Sequence, residues 1–281
     1  MEKQGLRITA ATLAPFFLFI SVLTFGLWFS VFRGGAVSNV ITSTMSDSRV
    51  QSGFGVEFAD SLLNSADATT RTAMEVHKPE LQSALAKKLG TKESQDKVAA
   101  LATQVFDALM NGSATTTLDI RPVLTDAIDA INTVPGIPQV TPDLIGDVEP
   151  KVLGSESDPL PDLGAVKSAV TALGIASILL GLLFTFFIWR ESKTRFRGVG
   201  IPLVSVGAFW MLVTFPAPGI ISAGSEMGLQ RDIIKAASTA VLSGPRTLAM
   251  IFFVVGIALL GTHFYRSRQP KVESEIGRAH V

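Results

Sequence analysis

Residues 8–32 read ITAATLAPFFLFISVLTFGLWFSVF, an apolar run of 25 residues without a charge. A bilayer core takes about 20 mostly apolar residues in a helix, so this run is long enough to cross one. Three more runs follow. Residues 166–189 give 24 positions with Lys167 at one end, residues 199–215 give 17, and residues 247–265 give 19. One such run fits the core of a soluble protein. Four in one chain predict membrane spans. The expected fold class is an all-α membrane protein, with four transmembrane helices and a helical extracytoplasmic domain between spans one and two.

Run 8–32 is far longer than the 7–15 residues of a signal-peptide core, and Gly34 and Ala36 make a poor cleavage site. It reads as an uncleaved signal anchor. Charge then sets the direction. The loop 190–198 carries Arg190, Lys193, Arg195 and Arg197; Lys3 and Arg7 precede span one; Arg266, Arg268 and Lys271 follow span four. By the positive-inside rule these three segments are cytoplasmic. The expected plan has residues 1–7, 190–198 and 266–275 inside the cell, and 33–165 and 216–246 outside. Trp28, Phe32, Trp189 and Tyr265 sit at the span ends, where amphipathic rings favour the headgroup level.

The whole chain balances 24 Lys and Arg against 24 Asp and Glu. That zero sum gives no basis for a globally basic nucleic-acid binder. Residues 34–165 hold 18 acids against nine bases, so the outer segment is acidic and the remainder basic. An acidic surface disfavours nucleic acid and anionic headgroups. Cysteine is absent, which excludes disulfides, thiolate metal sites and a cysteine nucleophile.

Within 33–133 the clearest helix is 93–110. Val98, Leu101, Ala102, Val105, Phe106, Leu109 and Met110 recur at three- and four-residue steps, one apolar face. Thr91 or Glu93 opens it and Asn111-Gly112 closes it. Its face must meet other helices, and 79–89, 54–63 and 122–131 are the candidates. Residues 115–120 read as a short extended piece. Residues 134–164 hold six prolines, four glycines and six acids with one base. The expected form of 134–165 is a semi-rigid stalk; the alternative is an ordered strap over the helices. In 216–246, Leu229, Ile233, Ile234, Ala237 and Val241 form an apolar stripe. It suits a helix in the membrane interface or one packed under the outer domain. Pro216, Pro218 and Gly219 break span three before it, and Gly244-Pro245 separates it from span four.

Patterns that carry chemistry are scarce. Of the three histidines, His77, His263 and His280, none stands in a zinc spacing such as H-E-x-x-H. No G-x-S-x-G elbow or phosphate-binding G-x-x-x-x-G-K-[ST] loop occurs. Asp126/Asp129 and Asp147/Glu149 are the carboxylate pairs. The first is read on a helix surface and the second in the stalk, neither as a catalytic pair. Asn111-Gly112-Ser113 matches a glycosylation sequon, but serves better as a helix end. No acid, Lys or Arg lies near the middle of a span, which counts against a pump or secondary transporter. Ser168, Ala172, Ala176, Ser177 and Gly181 offer close helix packing within the chain. No catalytic, cofactor-binding or metal-ligating residue is singled out, and no cofactor is expected.

Leu118-Asp119-Ile120-Arg121-Pro122, after the Thr-rich piece and before an apolar helix, carries a resemblance. The chain resembles a group of multi-pass bacterial envelope proteins, Gram-positive in type, with a helical ectodomain bearing an L-D-[LI]-R-P turn. The resemblance implies the plasma membrane as compartment and no activity. Physically, Asp119 can cap the helix that Pro122 begins, and Arg121 can pair with an acid. In topology alone the chain is also similar to division-type permeases that work with a cytoplasmic ATPase. Those carry a coupling helix between spans two and three, for which 190–198 is too short.

Residues 276–281, IGRAHV, read as a translated sequencing adapter (ATC GGA AGA GCA CAC GTC) and are set aside as an artefact. A natural C-terminus that continues into a folded cytoplasmic domain would make the protein a sensor. The primary expectation is a non-enzymatic integral protein of the plasma membrane whose ectodomain is an interaction or scaffolding module. Its expected partners are the lipid bilayer and an envelope protein, not nucleic acid.

Overall fold

The computed structural model describes residues 2–65, 68–141, 148–155, 158–191, 195–225 and 228–268. Four of its helical stretches are long and apolar enough to cross a membrane: Thr9–Phe32, Gly164–Arg190, Arg195–Ala223 and Ser243–Arg268. The chain folds as two compact units.

One unit comprises Met1–Leu23, Leu173–Leu212 and Pro245–Val281. It contains most of α1 (Glu2–Leu27), α8 (Gly164–Glu191), α9 (Arg195–Thr214) and α12 (Ser243–Arg268). Leu18, Val22, Val206, Trp210 and Ala249 form its buried core. The Trp210 indole N–H donates to the Phe19 carbonyl at 3.1 Å, so the one polar atom of that ring is satisfied in apolar surroundings. Helices α9 and α12 approach backbone to backbone. A Cβ at Gly207 would lie 2.6 Å from the Ala249 carbonyl oxygen, and one at Gly256 would lie 2.7 Å from the Val204 nitrogen. Only glycine allows that contact.

On α8 the packed row is Gly174, Ser177 and Gly181, all buried. Gly181 lies against Leu18, and Phe184, three residues on, stacks on Phe17 with centroids 5.7 Å apart. Ser168, Ala172 and Ala176 of the expected row are exposed. The residue with no side chain sets which face approaches closest, and Gly174 and Gly181 lie seven positions apart on that face. Leu173, Ile175, Leu179, Leu182 and Phe186 are exposed. That is a favourable state against lipid tails.

The other unit comprises Thr24–Ala172 and Val213–Gly244. Its helices are α2 (Ala36–Met45), α3 (Ser48–Ser65), α4 (Ala68–Val76), α5 (Lys78–Leu89), α6 (Lys92–Met110), α7 (Arg121–Ile131), α10 (Ala217–Ala223) and α11 (Leu229–Val241). Leu81 and Leu85 of α5 meet Ala127, Ile128 and Ile131 of α7, Ala59 and Leu63 of α3, and Met74 of α4 in one core. A second core joins Met45, Val50, Leu89 and Ala236, with Ile41, Phe54, Leu229 and Ile233 packed on it. Part of the amphipathic stripe of α11 is thus covered by α2 and α3.

Helix α6 begins where expected, with the Thr91 hydroxyl accepting from the Ser94 N–H at 3.4 Å. Its deepest residues differ from the expected stripe. Ser94, Gln95, Ala99 and Ala108 are buried, while Val98, Leu101, Val105 and Phe106 are half-buried. The helix therefore packs on two sides, and polar side chains occupy part of the seam.

The region read as a stalk lies against the helices. The Asn132 side chain brackets Val140, accepting its N–H at 2.8 Å and donating to its carbonyl at 3.0 Å. Val140 is buried in the first core. Further along, β2 (Lys151–Leu153) pairs antiparallel with β1 (Thr116–Leu118), Thr117 facing Val152. The Leu160 and Leu163 N–H groups donate to the Ala114 and Leu109 carbonyls at 3.1 and 2.8 Å. A proline-rich segment cannot build its own ladder, so its remaining backbone donors find partners on neighbouring elements. The strap reading therefore replaces the stalk for 134–141, 148–155 and 158–165. Asp143, Asp147, Glu156 and the tail 269–281 lie outside the described residues.

Candidate functional site

The strongest constellation of polar side chains centres on Asp126, in the middle of α7. The helix turns Ala127, Ala130 and Ile131 into the core. Asp126 is four residues from Ala130, so it shares that inward side, and it is only 2% exposed. Its Oδ1 accepts from the Lys97 ammonium at 2.7 Å and lies 3.4 Å from that of Lys88. Its Oδ2 accepts from the Ser94 hydroxyl at 2.8 Å. Lys97 also donates to Glu93 one turn back on α6, at 2.9 Å.

Burial alone pushes the Asp126 carboxyl upward. The hydrogen bonds from Lys97 and Ser94, with the charges of Lys88 and Lys97, outweigh it and hold the group below the usual carboxylate range. The same carboxylate, then Glu93, holds the Lys97 ammonium above its usual value. Asp126 is therefore an ionised, acceptor-only group near neutral pH. It ties α5, α6 and α7 together rather than offering a proton to a substrate.

Asp129 does not share this environment. It is exposed and lines an open groove of about 750 Å³ between α5 and α7, with Glu80, Ser83, Lys87 and Thr133. The structure thus splits the pair Asp126/Asp129, which the sequence reading placed together on one surface. A helical wheel through Ala127, Ala130 and Ile131 would have put Asp126 inside and Asp129 outside; that signal was missed.

A second groove is apolar. Phe54 and Phe58 of α3 face Leu229, Ile233 and Ile234 of α11 around a space of about 580 Å³, with Glu57 at its edge. It adjoins a further hollow of about 440 Å³ lined by Arg49, Ser52, Val56 and Asp232.

Two Asp-x-Arg turns start helices in this unit. At α7 the Asp119 carboxylate accepts from the Arg121 N–H at 3.1 Å and from its guanidinium at 2.7 Å. The N-cap position itself is Ile120, without a side-chain cap. The expected Asp119 cap is therefore an Asx-type turn one residue earlier, and the acid that Arg121 pairs with is Asp119. Asp47 and Arg49 repeat the device at α3, at 2.9 and 3.1 Å.

The histidines are dispersed. His77 packs against Gly136 of the Pro135–Pro138 turn, where φ is +88° and a Cβ would meet the imidazole. Glycine is required there twice over, by dihedral and by space. His263 lies in α12 beside Phe264, with centroids 5.9 Å apart, and His280 is outside the described residues. Among the described residues, no group of three His, Asp or Glu is placed to hold a metal ion. Asn111 closes α6, and the Ser113 N–H donates back to the Ala108 carbonyl at 2.9 Å.

No protein-family model, curated protein or solved structure matches the chain.

Proposed function

We propose that the protein is a non-enzymatic, multi-pass component of the bacterial plasma membrane, whose helical unit stands outside the cytoplasm as an interaction or scaffolding module. The observation that carries this reading is the groove between α3 and α11. Two phenylalanines and three aliphatic side chains line an open space there. Apolar lining of that size suits a row of side chains from a partner protein. The richest polar cluster, around Asp126, is meanwhile consumed by internal ion pairs and a hydrogen bond. The permease-like alternative loses support from chain length. Helix α8 runs to Glu191 and α9 starts at Arg195, which leaves three residues for a coupling helix.

Topology is testable with unusual clarity because the chain has no cysteine. Val76→Cys and Ser267→Cys each introduce a single thiol at an exposed position. With a membrane-impermeant maleimide on intact cells, Val76→Cys labels directly and Ser267→Cys only after permeabilisation. The opposite pattern would overturn the orientation. For the interaction role, Ile234→Arg should abolish co-purification of a discrete partner from gently solubilised membranes. A wild-type chain that purifies with nothing but lipid would sink the role.

A further inference from the structure

At one end of the membrane-spanning unit, three helix ends meet on a single ring. Phe196 opens α9. Trp189, near the end of α8, meets it edge-on with centroids 4.9 Å apart. The guanidinium of Arg266, in the last turn of α12, lies over the same ring at 4.9 Å from its centroid. Arg190, Arg195, Arg197 and Arg268 sit within about a turn of these residues in sequence, and all five arginines are exposed. The ion pairs among the described side chains all lie in the other unit.

Five exposed guanidiniums at the end of apolar helices stand at headgroup depth, because the spans on which they sit fill the hydrocarbon. Stacking on Phe196 fixes the plane of the Arg266 guanidinium. A fixed guanidinium leaves its N–H edge ready for two-point contact with phosphate oxygens, which a lysine cannot reproduce. Trp189 and Tyr265 place aromatic rings at the same level.

We propose that this arginine cluster is a binding site for the phosphate of an anionic phospholipid headgroup. Arg266, oriented by Phe196, grips the phosphate. Arg190, Arg195 and Arg197 supply the surrounding positive field, and the acyl chains lie along the exposed apolar face of α8. Basic pockets at the ends of transmembrane helices recognise lipid headgroups by this chemistry. The site does not depend on which side of the membrane the other unit occupies.

The test compares specific grip with diffuse charge. Full-length protein is released from detergent in a native mass spectrometer after equilibration with phosphatidylglycerol or phosphatidylcholine of matched chains. The wild type should retain phosphatidylglycerol preferentially. Arg266→Lys, which keeps the charge, should cut that retention several-fold at unchanged melting temperature, and Phe196→Leu should do the same. Full retention by Arg266→Lys would overturn the site in favour of a diffuse field. So would equal retention of the two lipids. Inorganic phosphate should not displace the lipid at millimolar concentration; displacement would mean that the site takes free phosphate instead. Should Phe196→Leu fail to fold, Arg266→Lys decides alone, because its side chain is exposed.

Discussion

The Asp126 carboxylate of α7 takes a 2.7 Å hydrogen bond from the Lys97 ammonium of α6, across 29 residues of chain. Asp126 is buried while Lys97 is partly exposed, so the cost of desolvation falls mainly on one partner. Removing the carboxylate leaves the Ser94 hydroxyl without its buried acceptor. Asp126→Ala should therefore destabilise the protein by about 1–3 kcal/mol. Denaturant titration of the full chain in detergent measures it. A loss close to zero would show that the three-helix tie contributes little. Lys97→Ala combined with Asp126→Ala should cost less than the sum of the two singles, because they share one interaction.

Acid should loosen the same region. Asp126 is held low as the Lys97 and Ser94 hydrogen bonds overcome burial; Asp47 and Asp119 are held low first by the side chains of Arg49 and Arg121. Each folded-state value lies below the unfolded one. The stabilisation is therefore present above the ordinary carboxylate range and is lost as pH falls through the depressed values. The melting temperature should stay flat near neutrality and drop below about pH 4. Asp126→Asn should flatten the acid limb most, since the other two pairs are more exposed and better screened. An acid limb unchanged in Asp126→Asn would count against this assignment.

Much of the fold was legible because it rests on length and period. The four apolar runs became four long helices, although the third begins at Arg195 rather than 199. Thr91 is a cap that sequence can name, because its hydroxyl acts within its own turn. The strand Lys151–Leu153 was not legible. Three residues in a stretch of prolines and acids carry no period, and its partner, Thr116–Leu118, is remote in sequence. The Asp126 cluster was half legible. The helix and both lysines were in view, but the inward turn of Asp126 depends on which side of α7 meets α5 and α6. On α8 the row of small residues was half legible: Ser177 and Gly181 are buried, Gly181 against Leu18, while Ser168, Ala172 and Ala176 are exposed.

Asn132 should act as the clasp of the strap. It makes both backbone hydrogen bonds at Val140, and Val140 fills part of the first core. Asn132→Ala removes the clasp while keeping the helix that carries it. Limited proteolysis should then cut within 135–141 faster than in the wild type, with a modest fall in melting temperature. Unaltered cleavage would mean that Val140 burial alone holds the strap.

The α9–α12 contact should be intolerant of any side chain at Gly207. A Cβ there meets backbone atoms of α12, which cannot move aside as a flexible side chain would. Gly207→Val should separate the helices, destabilise the unit by about 1–3 kcal/mol and raise its aggregation in detergent. Gly219→Val is the control, because nothing lies within 4 Å of its Cβ position. Equal melting temperatures for the two variants would remove the close approach from the account.

Two leucines test whether the exposed face of α8 meets lipid. Leu85 is fully buried in the first core, whereas Leu179 is 61% exposed. In water an exposed leucine is tolerated and a buried one stabilises; in a bilayer the exposed one is solvated by acyl chains. Leu85→Ala should cost about 2–5 kcal/mol through transfer and cavity terms. Leu179→Ala should cost well under that, because lipid fills the space that the side chain leaves. Leu179→Asp separates lipid from water. A carboxylate at the centre of a span is penalised by about 2.5–3.5 kcal/mol, so insertion of the full chain should fall. If Leu179→Asp inserts as well as the wild type, that face of α8 borders water or a polar partner instead of hydrocarbon.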